Sequence, residues 1–286
     1  NAKRRNMEIY PVHITNFKVD GGVMFGVVPK AIWENKYPAD ENNLCNWALR
    51  SLVIKTEDRV VLIDTGYGDK QDQSFFDHAH LNGGDGLEDG LDKHGIAFDD
   101  ITDVILTHLH ADHCGGTIQI NEQGEYEPVF KNAKVWINKP HWEWALQPTI
   151  REKDAFLEEN IKPIEELGLL NLVHEEGEII PGIKVRFVNG HTKGQMIPVI
   201  DYKGREVVFA ADLVPSAAHI HPLFNMAYDL WQLDTISEKQ KVLNEAYEKG
   251  SLIVFEHDVY NECCDLKKTP KGIRANQTME LEDALG

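Results

Sequence analysis

Nine apolar runs of strand length recur along this chain: "EIYPVHI" (8–14), "ALRSLVIKT" (48–56), "RVVLIDT" (59–65), "DVILT" (103–107), "KVWIN" (134–138), "IKVRFVN" (183–189), "MIPVIDY" (196–202), "EVVFAAD" (206–212) and "SLIVFEHD" (251–258). Several are rich in Val and Ile and lack strict polar alternation, as expected of strands covered on both faces. Helical segments fall between some of them without regular strand–helix alternation. The clearest is 236–249, with Thr235 and Glu238 as a T-x-x-E capping box and Gly250 at its end. "GLEDGLDKHG" (86–95) and "PHWEWAL" (140–146) read as short helices, the second opened by Pro140. "REKDAFLEENIKPIEELG" (151–168) reads as helical and broken near Pro163. This order favours two sheets with helices outside them over a doubly wound parallel sheet. With no internal repeat and no linker, residues 1–286 read as one domain with a helical insertion at about 140–168.

Charge and cysteine content narrow the function. Twenty-nine basic against 47 acidic residues leave a net charge of −18, which repels phosphate backbones and anionic lipid heads. Nucleic acid and membrane surfaces are therefore not expected partners, and no apolar run of spanning length occurs. A small neutral or cationic molecule fits better. Cys45, Cys114, Cys263 and Cys264 form no CxxC pair and do not suggest a disulfide framework. The basic Lys3-Arg4-Arg5 is not followed by an apolar stretch, so no intact signal peptide is read and the expected location is cytoplasmic.

The densest chemistry lies in "LTHLHADHCGG" (106–116), at the end of a buried strand. His108 and His110 are two apart, and in extended backbone residues two apart point the same way, so both imidazoles can reach one ion. Asp112 and His113 are adjacent, must diverge, and can reach a second ion beside the first. The glycines that follow let backbone pass close by. His and carboxylate ligands suit zinc or another first-row divalent metal. Asp112 as a plain helix N-cap is the structural alternative. Three further candidates end other strands: His191 in "NGHTKGQ", Asp212 after "EVVFAA" and His257 in "SLIVFEH".

With "THLHADH" (107–113), "GHTKGQ" (190–195), "FAADL" (209–213), "FEHD" (255–258) and "LIDTGYG" (62–68), the chain resembles the metallo-β-lactamase fold superfamily of metallohydrolases. The resemblance implies an α+β fold, a four-layer αββα sandwich with the site at one edge. It implies one metal held by His108, His110 and His191, a second by Asp112, His113 and His257, and Asp212 bridging them. Asp64 would orient a ligand. Two divalent ions are implied, zinc by default, with manganese, cobalt and iron also fitting. A hydroxide shared by them would attack a carbonyl or phosphoryl centre, with Asp112 as the catalytic proton carrier. Cys114 is read as a small buried residue.

Within that superfamily, His110 disfavours the oxygen-reducing di-iron members, which carry Glu there, and Asp212 with His257 separates the chain from true β-lactamases. The stretch before "LIDTG" and residues 211–235 are similar to the branch of acyl-homoserine-lactone lactonases and methyl parathion hydrolase-like enzymes. A lactonase acting on N-acyl homoserine lactones, a quorum-quenching activity, is therefore expected. The alternatives are an organophosphate or aryl ester hydrolase and a thioester hydrolase. Many such lactonases place Tyr three residues after the bridging Asp; here that position is Pro215. His219, His221 or Tyr228 would have to supply the missing contact. Met24, Phe25, Trp33, Phe75, Phe76, Phe224 and Trp231 are candidate apolar walls for a small ester or lactone substrate. "QSFFDH" (73–78) reads as a loop whose aromatics line the pocket, pack beneath it or make a homodimer contact.

Overall fold

The structure, a computed structural model, describes residues 6–286; the Lys3-Arg4-Arg5 stretch lies outside them. In chain order the first half lays down β1 (Glu8–Asp20), β2 (Leu44–Lys55), β3 (Val60–Ile63), β4 (Asp103–Ile105), a small hairpin of β5 (Ile118–Ile120) and β6 (Tyr126–Pro128), then β7 (Lys134–Asn138) and β8 (Leu170–Val173). All but the hairpin join one six-stranded sheet, ordered β1-β2-β3-β4-β7-β8. Its first three strands pair antiparallel and the rest parallel. The second half builds a seven-stranded sheet from β9 (Gly177–Ile180), β10 (Ile183–Val188), β11 (Gln195–Tyr202), β12 (Arg205–Phe209), β13 (Leu252–Val254), β14 (Cys263–Thr269) and β15 (Gly272–Met279). These pair in reverse chain order, antiparallel except for β12 with β13.

The short helices are α1 (Gly21–Phe25), α2 (Lys30–Trp33), α3 (Gln73–Ala79), α4 (Leu87–Asp92) and α5 (Ala111–Cys114). Then come α6 (Lys139–Leu146), α7 (Glu158–Glu166), α8 (Gln232–Lys249) and α9 (Leu281–Leu285). The two-residue period of the strands explains how they are layered. Leu52, Ile54, Val61, Ile63 and Ile105 turn toward the second sheet, joining Val185, Ile197 and Phe209 in one core. Their neighbours Val53, Leu62 and Val104 turn the other way, onto Leu91 of α4, Trp142 of α6 and Ile161 and Ile164 of α7. Val242, Leu243 and Ala246 of α8 complete the burial of the second sheet. Each sheet is thus apolar on both faces, which is why the Val- and Ile-rich runs do not alternate. The layers are helix, sheet, sheet, helix, as expected.

Local readings need correction. The helix read as 236–249 begins at Gln232, so Thr235 lies inside it and the T-x-x-E pair is not a cap. Glu238 instead accepts hydrogen bonds from the backbone N–H groups of Asn189 and Gly190, at 2.7 and 2.8 Å. A carboxylate that satisfies two turn donors of a neighbouring element is worth more there than at its own helix end. The 151–168 segment is helical only over Glu158–Glu166, and Pro163 sits inside that helix with its ring buried rather than breaking it. "QSFFDH" is helix, not loop: the Asp72 side chain accepts from the Phe75 N–H and opens α3. The hairpin of β14 and β15 had no signal in the apolar pattern because its outer half is polar. All four cysteines are free and buried. No helix among the described residues is long and apolar enough to cross a membrane.

Candidate metal centre

β4 ends at Ile105, and the chain runs extended to His110 before turning into α5. Leu109 is fully buried between His108 and His110, so the two imidazoles share the opposite face. Asp64, just past β3, holds both ends of this loop. One oxygen accepts the Thr107 N–H, and the other accepts from the Thr107 hydroxyl and His113 Nδ1, each at 2.8 Å. Asp64, expected from the sequence to orient a ligand, is placed against His113 Nδ1. Glycine is required where α5 closes on the loop after β3. A Cβ on Gly115 would stand 1.9 Å from the Tyr67 carbonyl oxygen, and one on Gly116 would stand 2.1 Å from that of Thr65.

The turns after β4, β10, β12 and β13 bring their side chains to one edge of the sandwich. His108, His110, His191 and Asp212 form one compact group that could hold a cation; His113, Asp212, Glu256 and His257 form another. Asp212 is common to both. Its Oδ2 lies 3.0 Å from His191 Nε2, 3.5 Å from His108 Nε2 and 3.3 Å from His113 Nε2, while Oδ1 lies 2.9 Å from His257 Nε2. Asp112 Oδ2 reaches 3.2 Å from His113 Nε2 and 3.5 Å from His257 Nε2. Glu256 approaches His113 from behind, 3.1 Å from Nδ1. The nitrogen facing Asp212 is Nε2, so Asp112 completes the second group on the open side and Glu256 backs the ring.

The donor set fits a dication pair. His108 Nε2, His113 Nε2, His191 Nε2 and Asp212 Oδ1 are buried without a satisfied hydrogen bond. Each such atom costs about 1–3 kcal/mol, and four that converge on two points call for an occupant. The electrostatics agree. Burial opposes ionisation of Asp212, yet His113, His257 and His191 hold its carboxyl well below the usual range. Burial likewise opposes protonation of His191, and Asp212 and Asp229 still raise it to about 10. His108, pressed by burial and by His113, stays well below the ordinary histidine range, with its lone pair free.

Every ring has a partner on its far nitrogen. His108 Nδ1 meets the Thr107 hydroxyl at 3.0 Å, His257 Nδ1 the Ala48 carbonyl at 2.8 Å, and His191 Nδ1 the Asp229 carboxylate at 2.8 Å. His110 is held by Nε2, 2.8 Å from Glu152, so it faces its group with Nδ1. Glu152 also accepts from Thr192 and Trp144, both at 2.8 Å. Glu152 and Asp229 were missed in the sequence. Glu152 is one acidic residue among many in a helix-like stretch, and nothing local marks it.

A cavity of about 390 Å³ opens over Asp112 and Asp212, with Phe17, Met24, Phe75 and Met226 among its apolar walls. Of the proposed wall residues, Met24, Phe75 and Tyr228 line it; the others do not. Phe25 and Trp33 are buried behind that wall, in one core with Tyr37 and Trp47. Phe224 belongs to the same core. Phe76 packs edge-on behind Phe75, and Trp231 lies against Trp144. His219 is fully buried, stacked on Phe25, with its nitrogens engaged by Ser216 and the Met24 carbonyl. Burial drives it down to about 3. His221 lies outside the cavity, against Phe224. Tyr67, Arg151 and Leu230 line the cavity without having been foreseen. The segment 140–168 contributes Arg151, Glu152, Asp154 and Ala155 to the wall.

Comparison with known proteins places this geometry. The model of the metallo-beta-lactamase superfamily matches residues 50–257. An N-acyl homoserine lactonase of Bacillus cereus is 23% identical over 235 residues, spanning 77% of this chain and 85% of its own. A probable metal-dependent hydrolase from Staphylococcus aureus superposes with a TM-score of 0.86 at 28% identity, covering 96% of this chain and 99% of that one. A dizinc quorum-quenching lactonase, AidC, solved with the product N-hexanoyl-L-homoserine, superposes with a TM-score of 0.79 at 19% identity over 96% of each chain.

Proposed function

The chain belongs to the metallo-beta-lactamase superfamily, and we propose that it is a metal-dependent hydrolase opening the lactone ring of N-acyl homoserine lactones. The observation that carries the hydrolase reading is the convergence of unsatisfied His and Asp atoms beneath a part-apolar cavity. The named lactonase relative supports the substrate class. We assign the first ion to His108, His110 and His191, the second to Asp112, His113 and His257, and the bridge to Asp212. Zinc is the proposed metal. When bound, two such ions acidify water and polarise the substrate's electrophilic oxygen.

The protein's own groups do the rest. Asp112 is the one ligand of the second group that also lines the cavity with its side chain partly open. It is placed to accept a proton from the attacking water and return it to the leaving alkoxide. Tyr228 offers a hydroxyl from the cavity wall. Burial, then Asp112 and Asp212, push that hydroxyl up, so it stays a neutral donor for the carbonyl oxygen. Phe17, Met24, Phe75, Met226 and Leu230 give the acyl chain apolar contact and exclude water.

The test is proton release from a long-chain acyl homoserine lactone by the metal-loaded protein, with a chelated control. Fast, chelator-sensitive release is expected, and Asp212→Ala should abolish both release and tight metal binding. No release from a protein holding two ions would refute the lactone assignment and leave aryl esters, phosphotriesters and thioesters as substrates to assay.

A further inference from the structure

The partners that orient the ligand rings come from two different parts of the molecule. In the second group, His113 is held by Asp64, just past β3, with Glu256 3.1 Å behind it just past β13, and His257 by the Ala48 carbonyl within β2. These are sheet positions. In the first group only His108 is held by its own loop, through Thr107. His110 is held by Glu152, on the turn between α6 and α7, and His191 by Asp229, on the segment leading into α8.

Those same two segments are the cavity walls. Arg151, Asp154 and Ala155 flank Glu152, and Met226, Tyr228 and Leu230 flank Asp229. They are joined across the cavity: the Arg151 guanidinium donates to the Ala227 carbonyl. Each is also tied to a ligand turn. Ala111 N–H donates to the Ala155 carbonyl at 3.1 Å, and Trp231 N–H donates to the Gly190 carbonyl at 2.9 Å. Asp229 closes its own segment by accepting from the Met226 N–H.

We infer that the substrate walls set the affinity of the first ion alone, with Glu152 and Asp229 as positioning residues and Arg151 as the clamp between them. The inference rests on the ligand assignment above. A far-nitrogen carboxylate fixes ring orientation and raises ligand basicity, and its loss costs metal affinity about 10–100-fold. Because both carboxylates ride on the walls, a change in the walls is felt at His110 and His191. The rings of the second group, oriented from the sheets, take their far-nitrogen partners from outside the walls.

Titration of the metal-stripped full chain with zinc, in competition with a chromophoric chelator, reads the two binding constants separately. Wild type must bind two ions; fewer would overturn the ligand assignment, and the inference with it. The first-site constant is identified as the one lost in His191→Ala. Glu152→Gln and Asp229→Asn should each weaken that constant about 10–100-fold and leave the other within about twofold. Arg151→Met, which removes no ligand or partner, should weaken the first constant by a smaller factor, and Thr192→Val serves as the milder substitute if Glu152→Gln fails to fold. Equal weakening of both constants by the wall variants, or no change in either, would overturn the inference while two-ion binding by wild type left the assignment standing.

Discussion

At the residue scale, the ligand turn was legible and its supporting partners were not. His108, His110, Asp112 and His113 sit within six positions, so their order and spacing carry the chemistry without help from tertiary structure. Glu152 and Asp229 reach His110 and His191 from 42 and 38 residues away, and no local pattern marks such a pairing. The pocket aromatics failed for a related reason. Phe25 and Trp33 are large and apolar, which fits a core as well as a wall, and the core took them, with both at 1% exposure or less. Tyr228 is the one polar candidate for the missing substrate contact that lines the cavity, since His219 is buried and His221 lies outside. A hydrogen bond to a group developing charge contributes about 1.5–3 kcal/mol. Tyr228→Phe is therefore expected to lower kcat/KM roughly tenfold to a hundredfold, with two zinc ions still bound by metal analysis. An unchanged kcat/KM would remove Tyr228 from the reaction.

At the scale of elements, the strands buried on both faces were read well, because such burial leaves an apolar run whatever the partner, while the short or half-polar strands β5, β6, β8, β9, β14 and β15 were not read. Helix ends were read poorly, because capping residues are also useful elsewhere. Glu238 is the instructive case: its position three after Thr235 fits a cap, but its oxygens hold the turn that presents His191. Gly190 belongs to the same joint, where a Cβ would lie 2.3 Å from the Thr235 hydroxyl. The start of α8 and the ligand turn after β10 are thus one interlocked unit. Glu238→Ala strands two backbone N–H donors and is expected to destabilise the fold by about 1–3 kcal/mol. It should also loosen zinc at the His191 site, which Glu238→Gln, retaining one acceptor oxygen, should partly restore. Urea denaturation with and without a chelator separates the two effects: a loss of the same size in both conditions would confine Glu238 to stability.

At the scale of the whole molecule, the site exists only where the edges of two sheets meet, and one buried side chain stitches those edges together. His141, on α6 beside the first sheet, accepts the Leu109 N–H through Nε2 at 2.8 Å and donates from Nδ1 to the Lys193 carbonyl at 2.7 Å. Leu109 lies in the ligand turn of the first sheet and Lys193 in that of the second. The bond from Leu109 requires an unprotonated Nε2 and so a neutral ring, and burial pushes His141 down to about 4. In the unfolded chain it titrates near 6.5. Between those values the unfolded state binds a proton that the folded state refuses. Stability is therefore lost as pH falls from about 6.5 toward 4, by up to roughly 3 kcal/mol from this one group, and is unaffected by it above that window. Glutamine offers the same acceptor and donor without titrating. His141→Gln should match wild type near pH 8 and fall less steeply with acid, which urea unfolding at stepped pH would read. Other buried histidines titrate in both proteins and cancel in the difference. Parallel stability curves down to pH 4 would mean that the two ligand turns do not depend on a neutral His141.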